Sequence, residues 1–321
     1  MTSSFFRAAL AATALLGVCS CAAPSGSPAA PHPTPHALIL GLDGVRPDAF
    51  QAAKTPHLDR LIEAGLVTWD AFAGGADAES DPTTQATSSG PGWTSILTGV
   101  WHDRHHVADN TFQGADLANN PHLFARIRAV RPTAQLVSIV HWAPINEHLL
   151  RPYPSQASLL LEPGSDSAVA AAGAAQIRDA DPAVLFLHFD EVDSAGHSFG
   201  YGAPIAEYIA AIELVDLHVG VVLDALQERE SRTGEEWLVI ATTDHGGLGT
   251  GHGGQSAEER TIWITAKGPG IQAGVLTHGP GHTIVALTVL DHMGVHVPSS
   301  EGFADEVPFG LLTRDSNPLQ K

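Results

Sequence analysis

The chain has 321 residues, 44% of them hydrophobic and 16% charged, a balance that builds a sizeable core and excludes a disordered chain. Its formal net charge is −19, from 16 Lys+Arg against 35 Asp+Glu, which argues against a nucleic-acid groove or an anionic membrane surface as a general partner. There are 18 histidines, and the two cysteines, Cys19 and Cys21, both stand in the first 21 residues, so no disulfide is expected in the folded domain.

In chain order, Arg7 precedes a short apolar run, Ala8 to Val18, too short to span a bilayer as a stable helix. Val18-Cys19-Ser20-Cys21-Ala22 then resembles a bacterial lipoprotein signal. Cys21, after the small Ser20, fits the lipidation position better than Cys19, after Val18; the alternative is a secretory signal cleaved near Ala22–Ala23. Residues 1–21 are therefore read as a signal peptide and 22–36, rich in Pro, Ser and Ala, as an extended tether. Residues 37–321 are read as a single catalytic domain. An exported protein follows, lipid-anchored on the periplasmic side or cell surface, or free in the periplasm or medium, touching membrane only through its anchor.

Ala37 to Leu42 predicts a buried strand that ends in Asp43-Gly44, with a helix N-cap or turn aspartate as the structural alternative for Asp43. Thr55 to Gly65 predicts an amphipathic helix with Leu58, Leu61 and Ile62 inward. A polar loop, residues 74–91, delivers Ser88 and Ser89 to a helix whose Trp93, Ile96 and Leu97 have helical spacing. Ser89 near that helix N-terminus is either a helix cap or a hydroxyl placed where free N–H groups favour an anion. Residues 101–120 read as a loop in which Arg104, His105, His106 and Asn110 line a pocket or are plain surface.

Pro121 to Val130 predicts a helix, Gln135 to His141 a strand, 142–165 an irregular Pro-rich segment, and Ser167 to Asp179 a helix. Ala183 to Phe189 is a buried strand running into a turn where Asp193 and His197, four apart, can face one cation. A long helix over Ala206 to Arg229 leads to the strand Trp237 to Ala241. Directly after it come Asp244 and His245, then six glycines interleaved with His252, an arrangement of carboxylate and imidazoles that suits Zn²⁺. Thr261 to Ala266 predicts a strand and His282 to Met293 the last helix. The alternation predicts an α/β three-layer sandwich: a mostly parallel central sheet with helices on both faces.

GLDGVRPD, SSGPGWTSILTG, DEVDSAGH and TDHGGLGTGHGG, in that order, resemble the alkaline phosphatase superfamily, closest to its type I phosphodiesterase/nucleotide pyrophosphatase branch. The resemblance spans about His36 to about Val297. It implies the alkaline phosphatase-like fold and two divalent ions, taken as Zn²⁺, flanking Ser89 as nucleophile. By the resemblance Asp43, Ser89, Asp244 and His245 hold one ion; Asp193, His197 and His252 hold the other, with His278 or His282 as alternatives for the last place. The implied reaction is hydrolysis of a phosphoric ester through a phosphoseryl intermediate, on a small-molecule phosphate ester or nucleotide-like substrate.

Three departures carry consequences. Gly92 stands where the branch often places an Asn three residues after the nucleophile, which leaves Asn110 as the substrate-binding candidate. His106 stands where related sequences tend to have Gly. Trp93 replaces the arginine of the sulfatase motif Cys/Ser-x-Pro-x-Arg, which argues against a sulfatase, and no room is seen for the cap domain of the mutases. A phosphomonoesterase of the same superfamily is the second reading; a non-catalytic zinc- or phospholigand-binding surface lipoprotein is the third.

Overall fold

The computed structural model describes residue 1 and residues 34–76, 80–152, 157–277, 279–298 and 308–309. The expected signal peptide, with Cys19 and Cys21, and the tether up to residue 33 lie outside the described residues, as does His278. Among the described residues no helix is long and apolar enough to cross a membrane.

The strands are β1 (His36–Leu42), β2 (Leu66–Phe72), β3 (Gln135–Val140), β4 (Leu159–Leu161), β5 (Pro182–Phe189), β6 (Trp237–Thr242), β7 (Thr261–Lys267) and β8 (Gly274–Val275). They form one sheet in the order β4-β3-β5-β1-β6-β7-β2-β8, parallel throughout except that β7 runs against both its neighbours. Strands β1, β5 and β6 are buried along their whole length, as parallel strands covered on both faces must be, which is why they read as near-continuous apolar runs.

The α-helices are α1 (Pro47–Ala52), α2 (Pro56–Glu63), α3 (Ser89–Thr98), α4 (His102–His105), α5 (Leu123–Val130), α6 (Asp166–Asp179), α7 (Glu191–Phe199), α8 (Ala206–Thr233), α9 (Ala257–Arg260) and α10 (Ile284–His292). Alternate side chains of β1 divide the core. Ala37 and Ile39 join a cluster with α3, α5 and α10, while Leu38, Leu40 and Leu42 join one with α1, α2, α6 and α8. The three-layer α/β sandwich follows from this period of two.

The structure departs from the sequence reading in several places. His36 belongs to β1, not to the tether: its ring stacks on Trp237 at 4.7 Å and its Nδ1 donates to Pro182 O at 2.9 Å. The segment 142–165 is not irregular throughout, since it holds a π-helix (Ile145–Leu150) and β4. Asp193 and His197 lie on α7 rather than in a turn, and their spacing of four puts them on one helix face. Strand β2 and helix α1 were not expected. LVTWDAF lacks clean alternation, and Pro47 at N1 opens α1, only six residues long.

Candidate active site

Three neighbouring strands, β5, β1 and β6, end at the same rim; each carries a carboxylate just beyond its last residue, and β5 and β6 a histidine as well. This is the rim at which open parallel sheets bind ligands. Asp43 follows β1, and its N–H donates to Phe189 O at 2.9 Å. Asp190 to His197 follow β5, and Asp244 and His245 follow β6. Ser89 is the first residue of α3, a ten-residue helix whose N-cap, Ser88, is extended and makes no side-chain capping bond.

The first group is fully enclosed. His245 donates from Nδ1 to Gly246 O at 2.7 Å, which leaves its Nε2 as a bare lone pair. That Nε2 lies 3.4 Å from Asp43 Oδ1, 3.4 Å from Asp244 Oδ2 and 3.4 Å from Ser89 Oγ. The other oxygen of Asp43, Oδ2, accepts from Trp93 Nε1 at 2.8 Å and from His188 Nε2 at 3.0 Å. Asp43 Oδ1 and Asp244 Oδ2 are buried without a hydrogen-bond partner. Burial works to raise the Asp43 carboxyl, but the hydrogen bonds from His188 and Trp93 and the neighbouring imidazoles outweigh it and hold it below the usual carboxylate range. Burial drives Asp244 well above that range, and the charges of Asp43 and Asp193 drive it further. Two bare carboxylate oxygens and a bare imidazole nitrogen repel one another in a dry site; a cation among them satisfies all three. Their N and O donor chemistry fits a divalent ion of the Zn²⁺ type.

The second group is more open. His197 donates from Nδ1 to Thr250 O at 3.0 Å and His252 from Nδ1 to Thr87 O at 2.9 Å, so both Nε2 atoms are again bare, and they lie 3.1 Å apart. Asp193 Oδ2 is 3.3 Å from His197 Nε2, and Asp193 Oδ1 is 3.8 Å from His252 Nε2 while accepting from the Tyr201 hydroxyl at 2.5 Å. Burial, then the nearby His245, pushes the His252 imidazolium down to about 4, so the ring is the neutral, ligand-competent form at neutral pH. The two groups adjoin: the His245 and His252 rings stack at 3.9 Å. Every one of these histidines has its second nitrogen fixed by a backbone carbonyl, the arrangement that orients metal ligands.

Asp43 is therefore not a helix cap, and Ser89 does not cap α3. Asn110 is exposed, and its Oδ1 accepts the Gly90 N–H at 2.7 Å, beside Ser89. No side chain fits at Gly92, because a Cβ there would lie 2.9 Å from Asp244 Cβ. His106 adopts φ 58°, the left-handed conformation that glycine favours. His105 is not surface: it is buried, with Nε2 2.9 Å from Ser95 Oγ and Nδ1 accepting from Val107 N. His282 is buried against Trp101, ring centroids 4.8 Å apart, and is not grouped with Asp193 and His197. Sequence reasoning missed His188, Tyr201 and Thr87. His188 was hidden inside an apolar strand, and the other two sit in loops with no motif; a histidine in AVLFLHF, out of place in a buried run, was the available signal.

This fold, with its Asp/His groups at one sheet rim, is that of a metal-dependent hydrolase of the alkaline phosphatase superfamily. The family model for type I phosphodiesterase/nucleotide pyrophosphatase matches residues 37–126 and 140–258, more than half of the chain, and the chain belongs to that family. A search of curated proteins finds no match. Among solved structures, a 2-O glycosaminoglycan sulfatase is similar with a TM-score of 0.68 and 15% identity, over 90% of this chain and 76% of the other. Murine ectonucleotide pyrophosphatase/phosphodiesterase 5 is similar with a TM-score of 0.63 and 13% identity, over 82% of this chain and 96% of the other. An inactive form of that murine protein in complex with AMP gives a TM-score of 0.62 at 14% identity, with the same coverage.

Proposed function

We propose that the chain hydrolyses phosphoric diesters, nucleotide-like ones among them, through a phosphoseryl intermediate at a two-ion site. The observation that carries this reading is the pair of adjoining donor groups, each with bare lone pairs, beside the Ser89 hydroxyl. Asp43, Asp244, His245 and Ser89 would hold one ion; Asp193, His197 and His252 would hold the other. The ions, Zn²⁺ by their donors, would lower the pKa of the serine hydroxyl and neutralise charge on the transferring phosphoryl group. Ser89 Oγ attacks phosphorus, the P–O bond to the leaving alcohol breaks, and water then releases the phosphoryl group from the serine. The N-terminus of α3 offers backbone N–H groups to a phosphoryl oxygen. Asn110, its carbonyl taken up by Gly90 N–H, keeps its amide NH₂ as a further donor.

Diester preference rests on charge. Among the described residues, no lysine or arginine is paired with Asp43, Asp193 or Asp244; the side chains facing Asp43 and Asp193 are histidines, Trp93 and Tyr201. Arg46, beside the glycine loop, is spent on Asp48 at 2.9 Å and on Gly247 O at 2.9 Å. A diester monoanion needs no further cation, whereas among the described residues no lysine or arginine is paired with these carboxylates to meet the second charge of a monoester. A sulfatase reading is disfavoured by Trp93, which is fully buried and bonded to Asp43 where the sulfatase motif carries arginine. The nucleotide-like substrate is supported by the family and by AMP in the murine protein. Export and an anchor at Cys21 belong to the same proposal and are checked by mass spectrometry of the N-terminal peptide.

The test is metal analysis of purified protein with turnover of bis-p-nitrophenyl phosphate against p-nitrophenyl phosphate. About two divalent ions per chain and a faster diester reaction are expected. Faster monoester turnover would favour the phosphomonoesterase, and metal binding without turnover of either would favour a binding protein.

A further inference from the structure

Thr87 is buried two residues before Ser89, and it makes three hydrogen bonds into the loop that carries His252. Its carbonyl accepts the His252 Nδ1–H at 2.9 Å; its hydroxyl donates to Gly254 O at 2.7 Å and accepts from Gly253 N at 3.1 Å. Up to Gly251 that loop is held by paired backbone bonds between Leu248 and Gly251, by Tyr201 N to Gly249 O and by His197 Nδ1 to Thr250 O; around His252 itself the glycines supply no side chain. Gly251, Gly253 and Gly254 surround His252, and Gly253 sits at φ 115°, a conformation that restrains nothing by side-chain packing. Glu259 and Gln255 fasten it further along, through Gly254 N at 2.7 Å and Gln85 O at 2.7 Å. The bond that sets the His252 tautomer and ring direction therefore comes from the segment that carries Ser89.

Resting on the two-ion reading above, we propose that Thr87 is a positioning residue: it ties His252 to the serine segment, so that affinity at the Asp193–His197–His252 group depends on the Thr87 hydroxyl. Removing the hydroxyl takes the protein partner away from the half-buried Gly253 N–H and the exposed Gly254 C=O, and releases the loop to shift. The His252–Thr87 carbonyl bond shifts with it. Outer partners of this kind change metal affinity by about 10–100-fold when lost.

The experiment is Co²⁺ titration of metal-stripped full-length protein, followed by visible absorption, for wild type, Thr87→Val and Thr87→Ser, with melting curves in parallel. Wild type should bind two equivalents. Thr87→Val should keep one at wild-type affinity and weaken the other about 10–100-fold; the weakened one should be the equivalent that His197→Ala abolishes, and Thr87→Ser should restore it. Two equivalents at wild-type affinity in Thr87→Val, or equal weakening of both, overturns the proposal. If Thr87→Val does not fold, Thr87→Ser decides: a weakened equivalent there overturns it, and full affinity supports it. Wild type that binds fewer than two Co²⁺ overturns the two-ion reading itself, and the positioning role with it.

Discussion

His188 donates from Nε2 to Asp43 Oδ2 at 3.0 Å, and with Trp93 on the same oxygen it decides which oxygen of Asp43 is left bare. The tautomer follows from the other nitrogen, since Nδ1 accepts the Trp142 N–H at 3.5 Å. His188→Leu should keep the strand, as the site is buried and apolar on β5, but should free Asp43 to rotate. Affinity at the Asp43–Asp244–His245 group is expected to fall about 10–100-fold, read by chelator competition. Unchanged affinity would show that Trp93 alone orients Asp43.

Gly92 predicts a steric failure. A Cβ at that position would lie 2.9 Å from Asp244 Cβ, closer than real Cβ contacts, and 3.1 Å from Asp244 Oδ2, tighter than most of them. Gly92→Asn should therefore not supply a substrate contact; it should push Asp244 out of register and lower both diester turnover and metal content. A Gly92→Asn enzyme with turnover at or above wild type would reject the packing argument.

Ser89→Ala separates an enzyme from a binder. The helix survives, because Ser89 lies at N1 and makes no capping bond. Metal at the Asp193–His197–His252 group should remain, while diester turnover falls about a thousandfold or more. Ser89→Thr should keep part of the rate, since it keeps a hydroxyl. Wild-type turnover in Ser89→Ala, with a dead but folded Ser88→Ala, would move the nucleophile by one residue.

Acid should destabilise the fold through histidines away from the site. Burial, the largest cause in both, pushes His105 and His122 down to about 3. Each accepts a backbone N–H at Nδ1, from Val107 and Ala125, so a proton there would meet another N–H. A folded-state pKa below the unfolded value gives stability that is complete above about 6.5 and lost as pH falls toward about 3. Urea unfolding between pH 7 and 4 should show His105→Gln flattening that fall by up to one proton, about 1.4 kcal/mol per pH unit. Parallel slopes in wild type and variant would remove His105 from the acid response.

Much of the candidate site was legible because its residues follow strand ends. The runs before Asp43 and Asp244 are apolar enough to be buried strands, and the residues beyond them are the polar, glycine-rich kind that line a sheet rim. His188 and Tyr201 were not legible: a histidine in a buried strand and a tyrosine in a loop acquire their roles only from Asp43 and Asp193, remote in sequence. Asn110 was legible as a candidate but not as a partner of Gly90, a contact that depends on how the 101–120 loop folds back on α3.

By itself the sequence determined the residue types and their order. Local hydrophobic period makes β1, β5 and β6 strands, and each hands a carboxylate or imidazole to the residues that follow. Only the tertiary structure decided that these strands stand side by side as β5-β1-β6, that His252 returns to stack on His245, and that Thr87 reaches the His252 loop. The reason is physical: secondary structure is set by neighbours within a few residues, while strand order and the direction of a lone pair are set by packing between segments that may be 100 residues apart or more, as Thr87 and His252 are.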